Sequence, residues 1–239
     1  MAEAKPSKSN VEAQSLRAVA GKQFEGIVTK AVNDILNRED IYAVSLKGLN
    51  DLIIHDPEFK EVLEFAKAPV PHPCQQGYEM MLPDTDVVVY YGQKDHTGRV
   101  TKRYHLATIS CKVSFHARQT ESTFWAKVLK NHGSKFYLVT EDKSKELGTC
   151  DAGNKTRRLL EAYMDSTYLM SQYAKNMNGF EEDIGEFYDI FEDSKRSGYQ
   201  RQNTRIFDSK RSTDAYCKRV RPFDDLFFDL MRVKFDFRR

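Results

Sequence analysis

Pro83-Asp84-Thr85-Asp86-Val87-Val88-Val89-Tyr90-Tyr91 is the stretch of sequence that decides the fold. Three valines and two tyrosines follow the second aspartate, and β-branched and aromatic residues of this kind favour a strand. Side chains on a strand alternate between its two faces, so Asp84 and Asp86 point to one face if the extended conformation reaches back to Asp84. The stretch therefore predicts two carboxylates side by side at the start of a strand.

A second strand is predicted to return alongside the first. Residues 92–98 are typical of a turn and residues 99–115 of a long strand, so the two strands should pair as a hairpin. Near the end of that strand, Ser110 and Lys112 alternate with apolar residues and share one face, which we expect to be the carboxylate face. Carboxylates can hold a hard cation such as Mg²⁺, and a lysine can orient a water or offset phosphate charge. This combination is what phosphodiester hydrolysis needs.

The elements around the hairpin indicate an α/β protein. Apolar residues recur every three or four positions in the first long segment, and Asp56-Pro57 is a good helix opening for the second. The order predicts a mixed central sheet flanked by helices. Helices are expected at residues 11–36, 58–66, 117–131 and 155–175, and a further strand at residues 135–140.

Length and composition fit one domain of 239 residues, 40% of them hydrophobic. We divide it into a catalytic core at 11–175 and a C-terminal extension at 176–239, mainly helical or irregular. No apolar run approaches the roughly 20 residues of a membrane span, and the first residues do not resemble a secretory signal, so an intracellular protein without a membrane partner is expected. The four cysteines form no CxxC pair, which argues against a zinc site.

Positive charge is concentrated at the end of the chain. The formal net charge is +2, but residues 195–239 hold 13 Lys or Arg against six Asp or Glu. A phosphate backbone would be attracted to such a segment by counterion release. A solvated surface with mixed charges explains the same composition, and the charge alone does not separate the two interpretations.

The residues of the hairpin resemble the motif of the PD-(D/E)xK nuclease superfamily. Pro83-Asp84 and Lys112 match the pattern, while Ser110 stands where the family has an acid. The resemblance covers residues 21–140 and implies a restriction-endonuclease-like core of order αβββαβ. It also implies a Mg²⁺-dependent endonuclease, with Mn²⁺ able to substitute, that acts on double-stranded DNA in a prokaryotic cytoplasm.

Two glutamates are candidates for the metal ligand that Ser110 does not supply. Glu121 follows on the next helix within an apolar stripe, where it is expected to face the sheet and to bind either the metal or a cation such as Arg118. Glu25 lies in Gly21-Lys22-Gln23-Phe24-Glu25, which is similar to a pattern of the superfamily's leading helix, although its position flanks the apolar stripe and also suits a solvated surface residue. The predicted metal ligands are therefore Asp84, Asp86, Glu121 and Glu25, and Asp84, Asp86, Lys112 and Glu121 are the predicted catalytic residues.

DNA contacts are expected from two polar segments. One follows Lys112 directly, and the other lies in the basic C-terminal region, whose side chains can hydrogen-bond phosphates or base edges. Capping and surface roles suit the same residues. The candidates are Ser114, His116, Arg118, Gln119, Arg201, Asn203 and Arg205.

The leading hypothesis is a type II restriction endonuclease that works as a homodimer, because a two-fold dimer matches a short palindrome and supplies one site for each strand. The C-terminal extension would serve dimerisation or DNA recognition. Two alternatives remain at this point: a repair or recombination nuclease that recognises DNA structure, and a relative that binds DNA without cutting it, which Ser110 would explain.

Overall fold

Six α-helices and eight β-strands make up most of the described part of the chain. The structure is a computed structural model that describes residues 8–72, 74, 76–113, 119–141, 147, 155–170 and 220–237. In chain order the elements are α1 (Lys8–Leu36), β1 (Ile41–Ser45), α2 (Leu46–His55), α3 (Phe59–Ala66), β2 (Ala68–Pro71), β3 (Tyr78–Met81), β4 (Val87–Lys94), β5 (Val100–Lys112), α4 (Gln119–His132), β6 (Lys135–Thr140), α5 (Lys155–Tyr163), β7 (Ser166–Leu169), β8 (Val220–Pro222) and α6 (Asp225–Phe237).

Six of the strands form a mixed central sheet in the order β1-β4-β5-β6-β7-β8. The first three pair antiparallel, and β5 to β8 pair parallel. Helices cover both faces, as the sequence predicted for an α/β protein. β2 and β3 form a separate two-stranded sheet.

The packing of the two faces follows the alternation of side chains along the strands. On one face, α1 and α6 bury Val87, Val89 and Tyr91 of β4 together with Ile109 and Cys111 of β5. On the other face, α4 and α5 cover β6, while α2 and α3 cover Val88. Even positions of β4 and of the last part of β5, from Thr108 to Lys112, therefore face away from α1 and α6, and this places the polar residues of the strand ends on that side of the sheet.

The predicted hairpin is confirmed. β4 pairs with β5 from Val87 opposite Ile109 to Lys94 opposite Val100. The turn is shorter than residues 92–98 because the strand continues to Lys94. Asp95 closes it by accepting hydrogen bonds from the backbone amides of Thr97 and Arg99, at 2.8 and 3.1 Å.

The edge of the sheet at β1 is covered by a side chain of α1. The Asn33 amide nitrogen donates to the Ala43 carbonyl at 2.9 Å, and the Ala43 amide donates back to Asn33 Oδ1 at 2.8 Å. This pair occupies backbone groups that another strand would otherwise use. β1 and α2 were not among the predicted elements, because each is short and their apolar residues follow no long period.

The predicted helix at residues 155–175 is wrong after its first half. α5 ends at Tyr163, and β7 begins at Ser166. Asp165 lies between them, where its carboxylate accepts the backbone amide of Phe136 at 3.1 Å and pairs with Lys135 at 3.2 Å. These contacts bring the chain alongside β6, so parallel pairing outweighs the helical pattern.

The C-terminal segment joins the same core. β8 is the sixth strand of the sheet, and α6 buries Leu226, Phe227, Leu230 and Met231 against α1 and the sheet. The described residues 220–237 therefore pack into the same core as α1, β4 and β5. In the described part of the chain, no helix has the length and apolar character that crossing a bilayer requires.

Candidate active site

Polar side chains from two adjacent strand ends meet near α1. The Asp86 amide donates to the Ile109 carbonyl at 3.1 Å, which continues the β4–β5 ladder back to Asp86. Ser110 and Lys112 follow on β5. The expected geometry, with both carboxylates and the lysine in one place, is present.

Lys112 lies between the two aspartates. Its ammonium is in direct ionic contact with Asp84 Oδ2 and lies 3.7 Å from Asp86 Oδ2. The lysine side chain is only 10% exposed, against 22% and 26% for the two aspartates. One cation thus faces two half-buried carboxylates, and its charge balances part of theirs.

Asp86 is held by the end of β5. Its Oδ2 accepts the backbone amide of Cys111 at 2.6 Å, and the Ser110 hydroxyl lies 3.5 Å away. Burial raises the pKa of Asp86, while Lys112 and the Cys111 amide act in the opposite direction. Ser110 therefore contributes a hydroxyl near Asp86 at the position where the superfamily motif has an acid.

Glu25 of α1 belongs to the same electrostatic environment. It is half-buried, and its pKa is raised first by burial and then by the negative charge of Asp86, while Lys22 and Lys112 lower it. Glu25 therefore lies at the border of the core and not on the fully exposed surface of α1. A residue on the flank of the apolar stripe lies at the border of the core, and here that border meets the strand ends.

Glu121 lies in the first turn of α4 and is exposed. The expectation that it faces the sheet is wrong, because the buried side of α4 carries Ser122, Thr123, Ala126 and Leu129. Phe124 on the same helix is 49% exposed. The contact face of α4 is centred on Ala126 and Leu129, with Trp125 and Val128 partly buried at its border, so Glu121 lies outside it.

The other predicted site residues lie mostly outside the described part of the chain. Gln119 begins α4, but its side chain is not among the described ones. Sequence reasoning also missed one contributor, the backbone amide of Cys111, since a main-chain donor leaves no signal in the residue type. Outside the described residues are Ser114, His116, Arg118, Arg201, Asn203 and Arg205.

The donor atoms of the site are of the kind that hard divalent cations prefer. Asp84 Oδ2 is buried and accepts no hydrogen bond of good geometry from the described residues, although the Lys112 ammonium lies beside it. A buried carboxylate oxygen in this state suits a cation. Among the described residues, no three His, Cys, Asp or Glu side chains are close enough to form a complete metal site. Asp84 and Asp86 thus fit two ligands, with Glu25 nearby.

Comparisons with known proteins point to a family of nucleases. The sequence model of the family described as BsaWI restriction endonuclease type 2 matches residues 60–197. A protein of Methanocaldococcus jannaschii, named as a type II restriction enzyme, MjaVIP, is 27% identical over 184 residues, which are 72% of this chain and 76% of that protein.

Two solved structures resemble the fold distantly. The restriction endonuclease BsaWI in a pre-specific DNA complex covers 68% of this chain at 15% identity, with a TM-score of 0.44. The restriction endonuclease AgeI in a specific DNA complex covers 66% at 17% identity, with a TM-score of 0.47. The chain spans 56% of the length of each of these two proteins.

Proposed function

Because this chain belongs to the BsaWI type 2 restriction endonuclease family, we propose that it is a type II restriction endonuclease, which hydrolyses phosphodiester bonds of double-stranded DNA at a short specific sequence. The observation that carries the proposal is the meeting of Lys112 with Asp84 and Asp86 at two adjacent strand ends. Carboxylates and a lysine in this arrangement suit metal-assisted attack of water on a phosphate.

In this proposal, Asp84 and Asp86 hold the cation and Glu25 completes the acidic set. Mg²⁺, with Mn²⁺ as a substitute, would supply Lewis acidity toward the scissile phosphate and lower the pKa of a bound water. The Cys111 amide fixes the orientation of Asp86, because it binds one carboxylate oxygen and leaves the other for the cation. Glu121 is the alternative to Glu25 as the third carboxylate ligand of the cation.

Lys112 has two proposed roles at the phosphate. Its ammonium can orient the attacking water by hydrogen bonding, and its charge can offset the negative charge that builds up on the phosphoryl oxygens. Burial of the side chain restricts its motion, so the ammonium is already positioned when DNA arrives.

We further propose that the chain acts as a homodimer on DNA, with one site for each strand. Ser114, His116, Arg118 and Gln119 would contact the backbone near the scissile phosphate, since they follow Lys112 directly in sequence. Arg201, Asn203 and Arg205 would read bases or bind phosphates from the basic segment.

The test is cleavage of a long phage DNA. Purified protein is incubated with the DNA and Mg²⁺, and the ends of the fragments are sequenced. Discrete bands with one shared end sequence are expected, and the Asp84→Asn variant should give none. Lys60→Ala, which changes an exposed lysine of α3, is the control that should cleave normally. A smear, or cuts only at DNA junctions, would contradict sequence-specific cleavage.

A non-catalytic DNA-binding relative is the second candidate, and Ser110 at the acidic position is the observation that favours it. Calorimetric titration of Mn²⁺ into the protein–DNA complex separates the two functions. Uptake of Mn²⁺ that Asp86→Asn removes supports the nuclease. Retained DNA affinity without any uptake supports the binder.

A further inference from the structure

An exposed apolar strand lies directly before the catalytic acids. All four residues of β3 are exposed, and Tyr78, Met80 and Met81 retain 73%, 41% and 40% of their accessible area. Single exposed apolar side chains are common on protein surfaces, but several on one short strand mark an interaction surface. β3 is therefore a candidate for contact with another macromolecule.

β3 is fixed to the body of the protein. Its partner strand β2 begins at Ala68, which is fully buried in a cluster with Ala126 and Leu129 of α4. Ala68 pairs with Met81, the last residue of β3. Only Leu82 and Pro83 separate Met81 from Asp84, so whatever binds β3 is held next to the candidate active site.

One edge of β3 is open. In the part of the chain that the structure describes, β3 pairs with β2 alone, so the outward backbone groups have no strand partner there. Proteins usually protect such an edge with lysine, proline or a bulge. β3 has the sequence Tyr78-Glu79-Met80-Met81 and contains none of these, which leaves the edge suited to adding a strand.

The charge of the two-stranded β2–β3 sheet argues against a DNA partner. Residues 68–83 contain no lysine or arginine, and Glu79 is their one acidic residue before the catalytic site itself begins. Phosphate backbones are bound by cations, and a surface without them gains nothing from counterion release. An apolar, slightly negative strand with an open edge is better matched by another protein.

We propose that β3 pairs antiparallel with β3 of a second copy of this chain around a two-fold axis. The two-stranded β2–β3 sheets of both copies then form one four-stranded sheet. A two-fold interface brings the same surface of both copies together and requires that surface to be self-complementary. The proposal builds on the proposed function in one respect, since cleavage of both DNA strands calls for two copies.

The sequence of β3 favours one register for this pairing. With the two-fold axis through Met80, Met80 lies opposite Met80 of the partner subunit, and Glu79 lies opposite Met81 of the partner subunit. Tyr78 then shares a face with both methionines at position 80, and aromatic rings and methionine sulfur attract each other. The neighbouring two-fold register has its axis through Glu79 and would place the two Glu79 side chains opposite each other, and opposed like charges destabilise a pair of strands.

This register also sets how far apart the two sites can lie. Asp84 is four residues from the axis, which at about 3.3 Å per residue is about 13 Å of extended chain. The two Asp84 backbones are then at most about 26 Å apart. That separation corresponds to roughly eight steps of 3.4 Å along one DNA strand, within the length of a short recognition site and its flanks.

The first test measures association without DNA. Sedimentation equilibrium of the full chain should show a monomer–dimer equilibrium. Met80→Lys should raise the dimer dissociation constant at least tenfold, because lysine on an edge opposes strand addition. Ile54→Lys is the matched control, since Ile54 is 76% exposed on α2, and it should leave the constant unchanged.

The second test addresses the register. In a Cys74→Ser background, Met80→Cys should form disulfide-linked dimers under mild oxidation, because facing residues of paired strands lie within disulfide range. Ile54→Cys in the same background should not.

Three results would overturn the proposed interface. They are a monomer at every concentration, equal effects of Met80→Lys and Ile54→Lys, or a Met80→Lys variant that loses DNA affinity while its self-association is unchanged. None of these depends on cleavage. A chain that cuts DNA but does not dimerise through β3 keeps its proposed function, and a chain that dimerises through β3 without cutting keeps the interface.

Discussion

The Lys112 ammonium is in ionic contact with Asp84, which precedes β4, and both residues sit at strand ends that the hairpin brings together. Lys112 also lies 3.7 Å from Asp86, so its positive charge lies between the two carboxylates. Lys112 therefore stabilises the folded protein by pairing with the two carboxylates, and it is also the group best placed to contact a phosphate. The two roles can be separated by mutation.

Lys112→Met should lower the rate of DNA cleavage by at least about 10²-fold, the size of effect typical for loss of one positioned group that stabilises transition-state charge. DNA affinity should fall much less, since one phosphate contact among several is removed. Steady-state cleavage and filter binding measure the two quantities. Lys60→Met is the control on the exposed side of α3. Full activity of Lys112→Met would show that the site is misassigned.

Asp86→Asn should stabilise the fold at neutral pH while removing activity. Burial raises the pKa of Asp86 from 3.8, so the folded state prefers the protonated form. The stability that protonation contributes is complete below the unfolded pKa and is lost as pH rises through the folded pKa. The ionised carboxylate is therefore a net cost at neutral pH, and an amide avoids it.

Thermal unfolding at about pH 4 and about pH 8 checks this prediction. The midpoint of Asp86→Asn should exceed that of the original chain at the higher pH, by about 2–4 °C for each kcal/mol gained in a protein of this size. The difference should shrink at the lower pH. Asp51→Asn, at an exposed position of α2, should show neither effect. A lower midpoint for Asp86→Asn at about pH 8 would mean that attraction to Lys112 outweighs burial.

The Glu25→Gln and Glu121→Gln variants should differ in the Mg²⁺ concentration that cleavage requires. Glu25 shares its electrostatic environment with Asp86 and Lys112, whereas Glu121 is exposed. Loss of one carboxylate ligand weakens cation binding, so Glu25→Gln should shift the Mg²⁺ dependence of cleavage at least tenfold toward higher concentration. Glu121→Gln should shift it less than about twofold. The reverse pattern would assign the third position to Glu121.

The sequence predicted best where two independent patterns agreed. The hairpin combined β-branched residues, a turn and alternation of polar with apolar side chains, and both the pairing and the meeting of Asp84 with Lys112 followed from it. Glu121 rested on one pattern, the periodicity of α4, which was misread because small residues form the buried side. Glu25 was underrated for a related reason, since a sequence does not reveal where the border of one helix meets a strand end.

Contacts between distant segments were the part that the sequence could not predict. β7 depends on pairing with β6 and on the bonds of Asp165 to the start of that strand, so its local pattern alone indicated helix. β8 was not predicted from the sequence either. It pairs with β7, although about 50 residues separate the two strands along the chain. Pairing between segments far apart in sequence leaves little trace in either one.

The last prediction concerns the ion pair that connects α6 to β8 at the edge of the sheet. Arg221 of β8 contacts the carboxylates of Asp225, at 2.9 Å, and Asp229 on α6. Asp229 is 9% exposed and also accepts the Tyr168 hydroxyl of β7 at 2.6 Å. Arg221→Met would leave a buried carboxylate without its main counter-charge, which should lower the free energy of unfolding by about 3 kcal/mol. This value is at the lower end of the range for breaking a buried ion pair, because Arg221 is 23% exposed.

Urea unfolding of three variants tests this claim. Arg232→Met is the matched control: Arg232 approaches the same Asp229 at 3.7 Å but is 72% exposed, so its loss should cost less than about 1 kcal/mol. Combining Arg221→Met with Asp229→Asn should recover at least half of the lost stability, since a neutral amide can still accept the Tyr168 hydroxyl and no longer needs a cation. Equal costs for Arg221→Met and Arg232→Met would mean that burial of this pair does not control the attachment of α6, and that the apolar contacts of Leu226, Phe227 and Leu230 hold the segment by themselves.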